Sequence, residues 1–304
     1  MSTAVSEPPA KSAPPAVRRL RVRHGNYYQY DQPISRSVHR LHLRPIHDRK
    51  QTLVSHGLQV TPDAALIEYE DVFGNWTTRF EMASPYSQLS IVAESTVDLL
   101  DVDPFAFLQL SARPKFPVQW MPWEFNMLAP YLSPVELPET QLREILDFSK
   151  SFATRNQLDV YETLFDMNLT LFREFAYTPK STTLKTTPFD VLTAKQGVCQ
   201  DFANLMICMA RLLHLPARYV CGYVFTGNTG ENKVQSDATH AWVQIFLPDV
   251  GWKDFDPTNG VLPATDHVRM AVGRHYRDTA PTAGTLYSPA QEHLRLDVEV
   301  TPVE

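Results

Sequence analysis

Glycine is scarce in this chain, at 11 of 304 residues against 24 prolines. Cysteine is scarcer still: three residues, an odd number too small for a disulfide scaffold, which points to a reducing compartment. No segment approaches the ~18 uninterrupted apolar residues of a membrane-spanning helix, and no internal repeat is visible. Charge of one sign is not dominant either. Lys and Arg total 28 against 34 Asp and Glu, a net charge of −6, and so mild an acidity argues against a nucleic-acid partner, which requires a basic surface. With 43 % hydrophobic and 20 % charged residues the chain is not collagen-like, coiled-coil or largely disordered. Its length suggests two domains. The few glycines are unevenly placed: Gly197, Gly222, Gly227, Gly230, Gly251 and Gly260 crowd one stretch, where the backbone must need special conformations.

Four regions are expected. Residues 1–16 are rich in Pro, Ser and Ala, lack the apolar segment of a signal peptide and read as a disordered tail on a soluble, cytoplasmic protein. Residues 17–100 follow a period of two. Leu89, Ile91, Ala93, Val97 and Leu99 share one face, with Gln88, Ser90, Glu94, Thr96 and Asp98 opposite, the pattern of a half-buried antiparallel strand. Gly74-Asn75 between two β-rich runs suggests a hairpin closed by a tight primed turn. A β-sandwich is the natural architecture for this region. Its five histidines (His24, His39, His42, His47 and His56) are expected at the surface, and the spacing of His39 and His42 puts them on opposite faces, unsuited to chelation.

Residues 101–136 hold six prolines, which exclude a long helix or a central strand and suggest an ordered connector. Residues 137–304 open with helices at 139–152 and 158–175, the second with an apolar face that includes Tyr161, Phe165 and Phe172, and a short helix follows from Pro188. Strand-like alternation returns at 219–225, 242–247 and 294–300. Helices followed by antiparallel strands imply an α+β fold.

The chemistry concentrates between Gln196 and Gly260. Cys199 precedes FANLMICMARLLHLP, a run that reads as a helix buried nearly all round and stopped by Pro216. A cysteine at a helix N-terminus has a field that favours the thiolate, and the free N–H groups there can receive an oxyanion. Cys208, in mid-helix, and Cys221, on a strand, read as small apolar core residues. His240 stands at the mouth of a strand among small residues, with Trp242 placed to wall the site and limit water. Asp256 ends the next strand, and the hairpin joining the two brings it beside His240, where a carboxylate would orient the imidazole. Asp254 has the same facing and is an alternative orienter. Asp201, in the first turn after Cys199, reads as a helix cap, and Arg218 as its partner or that of Asp254. His214 and His267 read as isolated, His267 in a loop. The Gly/Asn-rich stretch 225–236 reads equally as a lid over a substrate groove or as filler.

The blocks GVCQDFANLM, RYVCGYVF, DATHAWVQIFLPDVGW and FDPTNG resemble the bacterial transglutaminase-like superfamily, whose core is papain-like. YYQYDQPISRSVHRLHLRP and DVFGNW resemble the β-sandwich region that precedes that core in many bacterial members. The resemblance covers about residues 18–302. It implies Cys199 as nucleophile, His240 as general base and acid, and Asp256 as orienter. The family's second oxyanion donor is an aromatic or amide side chain upstream of the cysteine, for which Tyr177 and Gln196 are candidates. No Asp/Asn-rich calcium loop is present, so calcium activation is not implied.

The expected function is thiol-dependent acyl transfer on peptide or side-chain amides, without a metal or cofactor. Its partner is a peptide or protein substrate, with no membrane partner; oligomeric state is not legible. Hydrolysis is favoured because one unspecialised core shows no second-substrate site. Amine transfer, as in a cross-linking transglutaminase, is the alternative. Two other classes stay open: a zinc module on Cys199, His240 and Asp256, unsupported by ligand spacing, and a binding protein with a vestigial triad.

Overall fold

The computed structural model describes residues 16–101, 103–109, 113–227 and 239–303. The expected tail thus lies outside the described residues except for Ala16, as does most of the expected lid. Six strands come first: β1 (Val17–Ile34), β2 (Ser37–Leu41), β3 (Gln51–Thr61), β4 (Ile67–Glu70), β5 (Trp76–Met82) and β6 (Tyr86–Leu100). Five α-helices follow: α1 (Pro122–Leu132), α2 (Glu139–Arg155), α3 (Val160–Glu174), α4 (Pro188–Ala194) and α5 (Cys199–Leu212). Two short strands, β7 (Ala176–Tyr177) and β8 (Gln196–Gly197), lie between α3 and α5 and pair in parallel. The chain continues through β9 (Ala217–Val224), β10 (His240–Leu247), β11 (Gly251–Phe255), β12 (His267–Gly273), β13 (Thr282–Leu286) and β14 (Glu292–Pro302).

The α+β expectation holds, with three antiparallel four-stranded sheets ordered β14-β1-β6-β3, β13-β2-β5-β4 and β11-β10-β9-β12. The first two form the sandwich. Side chains cross between them: the Tyr86 hydroxyl of β6 meets Ser37 Oγ of β2 at 2.6 Å, and Tyr28 of β1 meets Thr282 of β13 at 3.0 Å. The third sheet carries α5 against one face and forms the core that bears the site.

The C-terminal boundary requires correction. β14 pairs with β1 from Leu20↔Pro302 to Tyr30↔Glu292, and β13 pairs with β2, so the last strands belong to the sandwich and not to the core of 137–304. A strand's alternation shows which residues share a face; it says nothing about which sheet receives them.

Other expectations change in detail. The connector contains α1, an 11-residue helix that tolerates proline because Pro122 sits in the first turn and Pro130 near the end. The 71–75 turn is a five-residue loop, in which Asp71 Oδ1 accepts the N–H groups of Phe73 (2.8 Å) and Asn75 (2.9 Å) and Gly74 takes φ +81°. Phe172 is 48 % exposed and lies outside the apolar face of α3.

The sandwich histidines are not a surface set: His24, His39 and His42 are buried and His56 half-buried, leaving only His47 exposed. His24 follows Leu20 and Val22 on the inward face, and His39 lies between Ser37 and Leu41. Burial lowers the pKa of both His24 and His39 to about 4.

The sandwich grips the edge of the core sheet. The Gln51 amide accepts from Arg269 N–H (2.8 Å) and donates to Arg269 C=O (2.8 Å). The Asn75 amide does the same for Val272, at 2.8 Å both ways. Two side-chain amides thereby satisfy edge groups of β12 that would otherwise need another strand. The Arg269 guanidinium also pairs with both oxygens of Asp48, at 2.6 and 2.8 Å.

Candidate active site

The helix bearing Cys199 is placed by Gly197 and Asp201. A Cβ at Gly197 would lie 2.9 Å from Asp201 Cβ, so only glycine lets that carboxylate fold back under the turn. There Asp201 accepts the Val198 N–H (2.8 Å) and the Thr182 hydroxyl (2.6 Å), capping the helix. Burial raises the Asp201 pKa against these bonds. Cys199 is the first helical residue, so its amide is one of the first-turn N–H groups that have no intrahelical acceptor. Residues from Asp201 to Arg211 are buried, except for the half-buried Asn204. The Arg211 guanidinium is satisfied by the carbonyls of Ala217, Ser133 and Arg274, and burial lowers its pKa to about 10.

His240 opens β10 opposite Gly222 of β9. A Cβ on Gly222 would come within 2.1 Å of the Val268 carbonyl oxygen and 2.6 Å of the Trp242 ring. Glycine is therefore required for strands and indole to close behind the imidazole. The His240 Nε2 donates to Asp256 Oδ2 at 2.8 Å with both side chains buried, which leaves Nδ1 for the Cys199 thiol. Burial alone would lower the His240 pKa. The charge and hydrogen bond of Asp256, joined by the hydrogen bond and charge of Cys199, outweigh it and hold the imidazole protonated above its ordinary range.

Asp256 is held from many sides. Its Oδ1 accepts the N–H groups of Thr258 (3.0 Å) and Asn259 (3.3 Å), and its Oδ2 also accepts the Asn259 side-chain amide (2.6 Å). Burial would raise the carboxyl pKa, but His240 and His267 drive it well below the usual carboxylate range. Asp254 takes no part in this group. It accepts from Trp242 Nε1 (2.9 Å) and Gln244 (2.8 Å), and Lys50 stands 3.4 Å away. Arg218 pairs with neither aspartate: its Nε donates to Gln244 Oε1 at 2.8 Å.

Trp242 is fully buried and stacks behind His240, the rings 5.9 Å apart and inclined by 26°. Tyr177 is half-buried on β7 and paired with Gly197. Burial, then the charges of Cys199 and Asp201, push its pKa up to about 12, so the phenol keeps its proton. Gln196 is exposed. Cys208 and Cys221 are buried, and burial raises their thiols to about 11 and about 12.

The isolated-loop reading of His267 is overturned. It opens β12, is buried, and places Nε2 3.0 Å from Asp256 Oδ2 and Nδ1 3.0 Å from Asp266 Oδ1. Alternation of Val268, Met270 and Val272 was the available signal for the strand; its proximity to Asp256 arises only from folding. The nitrogens of His240 and His267 and an oxygen of Asp256 lie within 4.8 Å of one another, the one such three-residue donor group found among the described residues. Two N–H groups converging on one carboxylate oxygen account for this geometry, and we assign it no ion.

Residues 20–98 match the model of the bacterial transglutaminase-like N-terminal region, and residues 148–257 match that of the transglutaminase-like superfamily. An uncharacterised protein of Mycobacterium tuberculosis (strain H37Rv) is 31 % identical over 301 residues, covering 94 % of this chain and 93 % of the relative. The chain belongs to the transglutaminase-like superfamily. A second relative of this transglutaminase-like chain, an uncharacterised Mycobacterium leprae protein, is 26 % identical over 93 % of the chain and 98 % of its own length. A protein-glutamine gamma-glutamyltransferase of Pseudomonas aeruginosa is 36 % identical over 95 residues, 29 % of this chain and 14 % of that protein. Among solved structures, a candidate cysteine protease from Cytophaga hutchinsonii shares the fold at TM-score 0.71 and 22 % identity, covering 95 % of this chain and 92 % of its own.

Proposed function

We propose that the chain is a thiol-dependent acyl-transfer enzyme that hydrolyses peptide or side-chain amide bonds, with Cys199, His240 and Asp256 as its triad. The observation that carries this reading is the buried His240 held between the Asp256 carboxylate and a cysteine at a helix start. The Cys199 thiolate attacks the amide carbonyl carbon, and the oxyanion is received by the first-turn N–H groups of α5, assisted by the Tyr177 hydroxyl. The C–N bond then breaks as imidazolium Nδ1–H protonates the leaving amine, leaving a thioester. Water attacks that thioester, gives its proton to His240, and releases the carboxylic acid and the thiolate. Asp256 keeps the ring oriented throughout. Three free thiols support the proposed cytoplasmic location.

Amine transfer is the second reading, favoured by the identity to the Pseudomonas aeruginosa protein-glutamine gamma-glutamyltransferase. The test is mass spectrometry of a Gln-containing protein substrate incubated with the chain and a primary amine. Cut peptides or deamidated glutamines are the expected result. Amine adducts without cleavage would select the transferase reading, and no change of any kind would overturn catalysis by this triad.

A further inference from the structure

We propose that His267 is a positioning residue for the triad: an imidazolium that shares Oδ2 of Asp256 with His240 and is held in place by the sandwich through β12. This rests on the triad reading above. The charge state follows from geometry. His267 Nε2 faces Asp256 and Nδ1 faces Asp266, each at 3.0 Å. A neutral ring would turn one bare nitrogen lone pair toward a carboxylate oxygen, so both nitrogens must carry protons. The ring is buried, and its charge is matched by carboxylates on both sides.

Two consequences follow at the triad. With His267 in place Asp256 accepts five hydrogen-bond donors, which fix the carboxylate against rotation and keep it ionised. The His267 cation also lies 6.1 Å from the His240 ring and draws on the same carboxylate, so it weakens the hold of Asp256 on the His240 proton. An imidazolium that must later release its proton to a leaving amine benefits from that restraint. The groups facing His267 are Asp256, Asp266 and His240 directly. Lys50, Lys253, Asp254, Asp103 and Arg269 lie around a cavity of about 60 Å³ behind the ring, and Arg18 faces Asp266.

The strand that presents His267 is fixed from outside the core. Two residues along β12, Arg269 is held by Gln51, by Asp48 and by the Ile46 N–H, which donates to the Arg269 carbonyl at 3.0 Å. Asn75 holds Val272 further on. This gives the sandwich a role at the active site through β12.

The test uses the full chain with ¹⁵N-labelled histidine, in native form and as His267→Gln and Asp266→Asn. Asp266 has a side chain 44 % exposed, so its variant serves if the buried substitution fails to fold. A second doubly protonated ring above the ordinary imidazole range, besides that of His240, with its signal lost in His267→Gln, is the expected native result. His240 should titrate about one pH unit or more higher in His267→Gln, because a nearby cation has been removed. A neutral His267 at pH 7, an unshifted His240 in both variants, or a stoichiometric metal ion in place of the ring protons would each overturn the proposal. Iodoacetamide labelling of native Cys199, with the buried Cys208 and Cys221 as controls, is measured alongside. Failure to label overturns the nucleophile reading and is separate from the histidine result.

Discussion

At the residue scale the site is a matter of which of several like groups has the right neighbours. Asp254 and Asp256 sit two apart, yet one is occupied by an indole and an amide and the other by imidazoles. We therefore expect Asp256→Asn to lower turnover by about 1,000-fold or more, while Asp254→Asn stays within about tenfold of native; kcat/KM on a cleaved peptide separates them. Comparable losses in both would remove Asp256 from its special place. Tyr177→Phe deletes the proposed oxyanion donor and should lower kcat by about 100-fold with KM little changed. Cys199 at a helix start and His240 beside Asp256 were legible as local features, from the turn residues and from the hairpin that joins β10 to β11. His267 and Asn259 were not, since their roles depend on contacts that no spacing announces.

Among elements, the core sheet shows how tightly backbone must approach backbone behind the site. Gly222→Ala puts a methyl group 2.1 Å from the Val268 carbonyl, a clash with backbone that no rotamer relieves. The expected cost is about 1–3 kcal/mol or more, read as a drop in the urea midpoint. Asn75→Ala removes both bonds to Val272 and leaves edge groups of β12 unpaired. A loss of about 1–3 kcal/mol is expected, with the same measurement as its check. An unchanged midpoint would mean that water satisfies the strand edge. The crowding of glycines between Gly197 and Gly260 now has particular causes: Gly197 admits the Asp201 cap, and Gly222 admits the Val268 carbonyl and the Trp242 ring.

For the whole molecule, the buried histidines set an acid limit. His24 and His39 have pKa values near 4 in the fold against an ordinary 6.5, so the unfolded chain binds protons that the native one refuses. Stability should therefore fall as pH drops from about 6.5 toward 4, by at most about 1.4 kcal/mol per pH unit for each such ring. Urea midpoints at pH 7 and pH 5 test this, and His24→Gln should flatten the dependence. His267 acts in the opposite sense: its raised pKa stabilises the fold below about pH 6.5 and that contribution is lost as pH rises through the folded value. Topology makes a further demand. A chain ending at residue 281 lacks β13 and β14 and exposes the edge of β1, so it should lose its cooperative urea transition and aggregate on gel filtration.

Features that depend on neighbours along the chain could be read from the residues alone. Alternation marked the long strands, the apolar run marked α5, and the turn residues marked where a cysteine, a histidine and an aspartate would be presented. Long-range packing settled what depends on partners far away in the chain. It returned the last strands to the sandwich, covered the histidines of the first, and clamped β12 by two amides from the other domain. It also brought His267 onto the Asp256 carboxylate. Side-chain periodicity records which way a residue faces, whereas the identity of what it faces is fixed by long-range pairing, to which local sequence is blind.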